Sequence, residues 1–208
     1  MKRLYAMVLV AAALLVASCA HTPSQGWVTL IDGEKGLENF DRIGDANWRA
    51  EGGAIVADKA KGSSHLVTKN SYKNFEIYAE FWADDKTNSG IFMRAADPKK
   101  VGADNSYEVN IYDQRPGQEY ATAAIVNFAQ VPVPIIHRAG DGKGGGKWNT
   151  FEIRAMGPEL TVVFNRVVAV HTRDSTYASG PFTLQFANGP KDAPGGAIKW
   201  RKVMVRPL

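Results

Sequence analysis

The chain has 208 residues, 45% hydrophobic and 22% charged, with 20 Gly, 10 Pro and a single Cys. That is enough for one sizeable core, and it excludes a disordered tail, a collagen and a disulfide-stapled miniprotein. The formal charge of +4, from 25 Lys and Arg against 21 Asp and Glu, is spread along the sequence and points to no nucleic-acid partner. Five Trp and seven Tyr must either pack in the core or form a binding surface.

Lys2 and Arg3 precede an apolar run from Leu4 to Val16, followed by Ala17, Ser18 and Cys19. This is the charged, apolar, small-residue order of a secretory signal, and the run is too short to span a bilayer. Val16-Ala17-Ser18-Cys19 resembles a bacterial lipobox, in which cleavage falls before a diacylated cysteine. The expected layout is therefore a signal peptide over 1–18, a lipidated Cys19 and tether over 19–26, and one domain over 27–208. An ordinary signal peptide with an incidental thiol at Cys19 is the alternative. Either way no disulfide can form within the chain, and loss of Lys2 and Arg3 with the leader removes part of its basic charge. The expected location is the cell envelope, with lipid as the only membrane contact. Ala20 after the cysteine matches outer-membrane sorting in a Gram-negative cell, facing the periplasm.

From Trp27 onward apolar residues recur mostly at period two, which predicts an all-β domain. Phe75, Ile77, Ala79 and Phe81 alternate with Glu76, Tyr78, Glu80 and Trp82. Val109 and Ile111 alternate with Glu108, Asn110 and Tyr112, and Phe151 and Ile153 with Glu152 and Arg154. Further runs at 27–31, 54–57, 65–68, 89–95, 160–164, 167–170, 182–186 and 198–205 bring the count to about eleven strands. Asp32-Gly33, Gly52-Gly53, Gly157-Pro158 and Gly195-Gly196 punctuate them. Asn165-Arg166 sits where a two-residue hairpin turn belongs, but positive φ at Arg166 is strained, which favours a longer turn. Many short two-faced strands fit a two-sheet antiparallel sandwich.

Several chemistries lack their pattern. Gly140, Gly142 and Gly145 match a dinucleotide fingerprint but run into the strand pattern of Trp148 to Phe151, where a helix N-terminus is required. The segment reads instead as a mobile surface loop that could cover a cleft. His21, His65, His137 and His171 show no zinc spacing. Asp84, Asp85, Asp97 and Asp104 could offer oxygens to calcium, but without an ordered loop spacing they read as turn formers. No cofactor and no metal site is expected. What remains is the polar side of a sheet: if Glu76, Tyr78, Glu80 and Trp82 share a concave face with Glu108, Asn110 and Tyr112, they form a trough of carboxylates, amides and rings suited to a sugar. The plain solvated face of an antiparallel sheet is the competing explanation.

Asn88-Ser89-Gly90-Ile91-Phe92-Met93-Arg94, Tyr107-Glu108-Val109-Asn110-Ile111-Tyr112-Asp113, Lys147-Trp148-Asn149-Thr150-Phe151-Glu152-Ile153 and Ile198-Lys199-Trp200-Arg201-Lys202-Val203 follow one another in the chain. With the opening Trp27 to Gly33, this order resembles the 3-keto-disaccharide hydrolase domain family. The resemblance implies a concanavalin A-like jelly roll that acts on glycosides oxidised at C3, so the partner is an oligosaccharide or 3-keto-glycoside. It carries Asn88, Arg94, Glu108 and Asp113 over as catalytic candidates. The sequence departs from the family at Asn188, where a His is common, at Thr122-Ala123-Ala124-Ile125 and at Asn165-Arg166.

A C3 ketone acidifies the hydrogen on C2, so the implied route is proton abstraction, elimination of the C1 substituent and hydration. Glu108 is the expected base, Arg94 and Asn88 flank the ketone oxygen, and Asp113 positions or acts as acid. Trp82, Tyr112 and Trp148 are candidate stacking platforms, with Asn110 and Glu80 as further substrate contacts. A salt bridge is the structural alternative for Arg94. Two other functions stand beside this one: a two-carboxylate glycosidase using Glu108 and Glu80 at the usual separation of about 5–9.5 Å, and a carbohydrate-binding module without chemistry.

Overall fold

A computed structural model describes residues 26–132, 138–189, 191 and 193–208; Cys19, the leader, the tether up to Gln25, and His137 lie outside the described residues. The described chain contains thirteen strands: β1 (Val28–Asp32), β2 (Phe40–Ile43), β3 (Arg49–Glu51), β4 (Ala54–Ala57), β5 (Ser64–Thr68), β6 (Phe75–Asp84), β7 (Ser89–Met93), β8 (Tyr107–Ile111), β9 (Gly146–Met156), β10 (Glu159–Phe164), β11 (Val167–Arg173), β12 (Thr183–Phe186) and β13 (Ile198–Pro207). Eleven coincide with the alternating or apolar runs of the sequence. The other two, β2 and β3, carry Asp41-Arg42 and Arg49-Ala50-Glu51 on largely exposed positions, so neither has an apolar face for a period to reveal.

The strands form two antiparallel sheets. The larger has the order β11-β10-β9-β6-β13-β4-β3, with β1 also paired to β13; the smaller has the order β2-β5-β12-β7-β8. This is the jelly-roll sandwich. Strict alternation on β6 sends Phe75, Ile77, Ala79, Phe81 and Ala83 into the core and leaves Glu76, Tyr78, Glu80 and Trp82 half-buried on the far face. Phe81 meets Phe151 at 5.0 Å and Trp200 at 5.5 Å between ring centroids. In the smaller sheet β5, β7, β8 and β12 are buried on both faces. The long β8–β9 connection folds back along β8: Ala123 N donates to Asn110 O, Asn110 N to Ala124 O, and Val126 N to Glu108 O, at 2.9–3.0 Å.

The hairpin between β10 and β11 is shorter than expected. Phe164 pairs directly with Val167, so Asn165 (φ 48°) and Arg166 (φ 69°) make a two-residue turn. The strain at Arg166 is offset because the Asn165 side chain is anchored on both sides, accepting from Thr150 N at 2.8 Å and donating to Asn149 Oδ1 at 2.9 Å. The glycine segment after Gly140 is held as well. Both oxygens of Asp85 accept backbone N–H groups, from Gly142 at 2.9 Å and Gly144 at 2.7 Å.

Candidate functional site

Register carries the site across the smaller sheet. His65 pairs with Gln185 and Val67 with Thr183; Thr183 pairs with Phe92; Phe92 pairs with Glu108 and Gly90 with Asn110. Paired residues of an antiparallel sheet share a face, and Val109, Ile91, Leu184 and Leu66 occupy the core face. His65, Gln185, Gly90, Phe92, Glu108 and Asn110 therefore lie together on the outer face. Gly90 has no side chain, so a hollow one strand wide separates Gln185 from Glu108 and Asn110, about 10 Å across two strand spacings. The Glu108 side chain leans toward it: a Cβ on Gly90 would stand 3.5 Å from Glu108 Cγ and 3.0 Å from Val109 O.

Glu108 is 8% exposed, and among the described residues no hydrogen bond reaches its carboxylate. Burial pushes its pKa up to about 7, although the Arg115 charge pulls the other way. A carboxyl poised near neutrality suits a general base. Around it are buried polar atoms without hydrogen-bond partners: Asn110 Oδ1, Tyr112 OH, Arg115 Nε and Gln185 Oε1. Buried polar groups are normally paired; among the described residues six such side-chain atoms are unpaired, and besides these four only the indole N–H groups of Trp48 and Trp200 are, away from this face. A polyhydroxylated ligand or ordered water has the donors and acceptors to satisfy the four around Glu108.

His65 closes the other side. Its Nδ1 lies 2.9 Å from Thr183 Oγ1 and its Nε2 3.1 Å from Ser63 Oγ, while Gln185 Nε2 donates to Ser63 Oγ at 3.1 Å. With Ser63 accepting from Gln185, its own hydrogen is free for His65 Nε2, which leaves Nδ1–H to donate to Thr183. Burial lowers the His65 pKa to about 4, so the ring is neutral and holds Gln185 in place. Its edge packs on Phe92, with centroids 5.0 Å apart.

Other expected site residues sit elsewhere. Arg94, at φ 53°, is buried, and its guanidinium donates to the carbonyls of Lys73, Gly157 and Tyr177 at 2.6–3.1 Å. Its donors are engaged with backbone, and the cation whose field reaches Glu108 is Arg115. The Asp113 carboxylate accepts from Thr122 Oγ1 at 2.6 Å, Ala139 N at 2.9 Å and Gly140 N at 2.8 Å; it latches the β8–β9 connection. Asn88 is at the rim, its amide donating to Asn188 O at 2.6 Å, and the Asn188 amide in turn donates to Ala60 O at 3.3 Å.

The single trough does not form, because its halves belong to different sheets. Glu76, Tyr78, Glu80, Trp82 and Trp148 face outward from the larger sheet, on the opposite side of the sandwich from Glu108, so Glu80 cannot pair with Glu108 across a glycosidic bond. Lys199 Nζ lies 4.5 Å from the Trp82 ring and Arg201 Cζ 4.2 Å from the Trp148 ring, which covers the ring faces a sugar would use. Glu80 accepts from Tyr78 OH at 2.7 Å and pairs with Arg201. Burial works against its charge, but those bonds outweigh it and hold its pKa below the usual carboxylate value. Asp84 and Asp97 accept neighbouring backbone N–H groups as turn formers, whereas Asp85 accepts from Gly142 and Gly144 across the fold and so ties down a distant loop. Among the described residues no group of three or more His, Cys, Asp or Glu is placed to hold a metal ion.

A two-sheet jelly-roll sandwich of this kind is shared by lectin domains among others, and the fold alone does not set the function. The chain belongs to the family of 3-keto-alpha-glucoside-1,2-lyase-like domains, whose model matches residues 26–206. A Parabacteroides distasonis protein assigned, without proof of activity, to the glycosyl hydrolases is 23% identical over 88% of this chain and 99% of its own, with a TM-score of 0.64. A carbohydrate-binding module from Bacillus subtilis is 15% identical over 87% and 95%, with a TM-score of 0.52. A Bacillus subtilis protein of unknown function with a galectin-like fold is 9% identical over 85% and 93%, with a TM-score of 0.61. At these identities the solved structures share the fold, and family membership makes the domain carbohydrate-related. No curated protein sequence matches the chain.

Proposed function

We propose that this protein is an exported enzyme of the cell envelope, anchored through lipid on Cys19, that cleaves 3-keto-glycosides with Glu108 as base. The observation that carries the reading is the Glu108 carboxyl, buried, free of hydrogen bonds and raised to about 7, beside a hollow floored by Gly90. Glu108 takes the C2 hydrogen as a proton, and the C–H electron pair moves into an enolate whose negative charge rests on the C3 oxygen. Arg115 supplies the nearby positive charge that stabilises it. As the ketone re-forms, the C1–O bond breaks and the leaving alcohol takes up the proton from Glu108. Water then adds to C1 of the unsaturated ketone and a proton returns to C2, so one water is consumed per bond cleaved. Asn110 and Gln185 offer acceptor oxygens to the sugar hydroxyls.

The test is incubation of the protein with a 3-keto-disaccharide and with its unoxidised parent, with and without chelator. Cleavage of the keto sugar alone supports the proposal. Cleavage of the parent makes the protein a conventional glycosidase, and binding of either without turnover makes it a carbohydrate-binding module. Full turnover by Glu108→Gln would remove Glu108 from the role of base.

A further inference from the structure

We infer that the cavity beside Tyr112 is the subsite for the leaving group, a second polyhydroxylated ring joined to C1 of the keto sugar. This rests on the reading of Glu108 as the base. The cavity has a volume of about 520 Å³, within the range of roughly 300–1,000 Å³ typical of small-ligand pockets. It is walled by Asp84, Lys86, Tyr112, Gln114, Pro194 and Gly196.

Strand geometry sets its place. Glu108, Asn110 and Tyr112 lie on one face of β8 and its continuation, so Tyr112 is about 13 Å along the strand from Glu108 at ~3.3 Å per residue. A substrate whose keto ring occupies the Gly90 hollow has its C1 substituent running either toward Tyr112 or back over Phe92. Phe92 and its neighbours Thr183 and Val67 are buried, whereas the Tyr112 end opens into the cavity. The walls suit a sugar: the Tyr112 ring and Pro194 offer apolar surface to C–H groups, and Gln114 and Lys86 offer exposed polar groups to hydroxyls.

The cavity is also built in advance. Gly196 N donates to Lys86 O at 3.0 Å and Thr87 Oγ1 to Ala197 O at 2.8 Å, which fixes the loop against the β6–β7 turn. Glycine is required there, since a Cβ on Gly196 would stand 1.9 Å from Asp84 Oδ1 and 2.6 Å from Thr87 N. A preformed wall binds without a cost of ordering the loop.

The test compares a 3-keto-disaccharide with the methyl 3-keto-glycoside, which lacks the second ring, in Ala193→Trp. Ala193 lines the cavity at its exposed rim. The expected result is a drop of about tenfold or more in kcat/KM for the disaccharide and a change within about twofold for the methyl glycoside. Equal losses on both substrates, or no loss on either, would overturn the subsite. Gln114→Leu, an exposed position, gives the same comparison should Ala193→Trp fail to fold. Glu108→Gln run alongside separates the two readings. If it abolishes turnover while both cavity variants treat the substrates alike, the base stands and the subsite falls; if it keeps full turnover while the disaccharide alone suffers in the cavity variants, the subsite stands and the base falls.

Discussion

Gly90 and Glu108 sit on adjacent strands, and the absence of a side chain at Gly90 gives the Glu108 carboxyl its open side: a Cβ there would lie 3.5 Å from Glu108 Cγ, 3.4 Å from Phe92 Cε2 and 3.0 Å from Val109 O. Gly90 has an ordinary strand conformation, so the penalty for a side chain is steric rather than conformational. Gly90→Ala should cost about 1–2 kcal/mol of stability as neighbours shift to admit the methyl group. It should lower kcat/KM on the keto substrate by about tenfold or more, because the methyl occupies the hollow. Denaturant unfolding and steady-state kinetics on the same sample measure both.

The acid limb of activity should follow Glu108. A base must be ionised, so kcat/KM should rise with pH through about 7 and level off above it. A limb near the ordinary carboxylate value would show that Glu108 is not the titrating group.

Stability should carry two opposing slopes from this one site. The native pKa of Glu108 is raised from 4.5 to about 7, so in that window the folded protein holds a proton the unfolded chain has lost, and its contribution to stability falls as pH rises. The native pKa of His65 is lowered from 6.5 to about 4, so the unfolded chain gains a proton the fold refuses, and stability falls as pH drops through that window. Each amounts to about 3 kcal/mol, and between about 4.5 and 6.5 they cancel. Relative to the wild type, Glu108→Gln should therefore gain stability toward neutral pH and His65→Gln should gain it toward acid. Unfolding free energies measured at pH 4.5, 6 and 8 read both effects.

Arg94 and Asp113 should behave as structural residues. Arg94→Met leaves buried carbonyls of Lys73, Gly157 and Tyr177 without their donor, and Asp113→Ala leaves the N–H groups of Ala139 and Gly140 without their acceptor. Each should cost about 2–4 kcal/mol in denaturant unfolding. In the folded fraction, Arg94→Met should keep kcat within about threefold of wild type; a loss of several orders of magnitude at unchanged stability would return Arg94 to the chemistry.

Much of the sandwich was legible because alternation of apolar and polar residues is a local property. Phe75, Phe81 and Phe151 announce their burial through their neighbours at period two, and they are fully buried. Strands without an apolar face, β2 and β3, left no such trace. Glu108 stood out as a carboxylate within a hydrophobic run, but His65, Gln185, Gly90 and Arg115 gave no comparable signal. Each is unremarkable in its own segment, and their relation to Glu108 depends on contacts between strands far apart in the chain.

The sequence by itself determined the strand content, the core rings and the position of Glu108 on the polar side of its strand, because side-chain period follows from backbone geometry alone. Only the tertiary structure decided which polar side faces which. Glu80, Trp82 and Trp148 went to one sheet and Glu108, Asn110 and Tyr112 to the other, and the pairing of β5, β12, β7 and β8 brought His65 and Gln185 to the hollow over Gly90. The physical reason is that alternation assigns a residue to a face of its own strand, whereas sheet membership and register are set by long-range pairing and core packing.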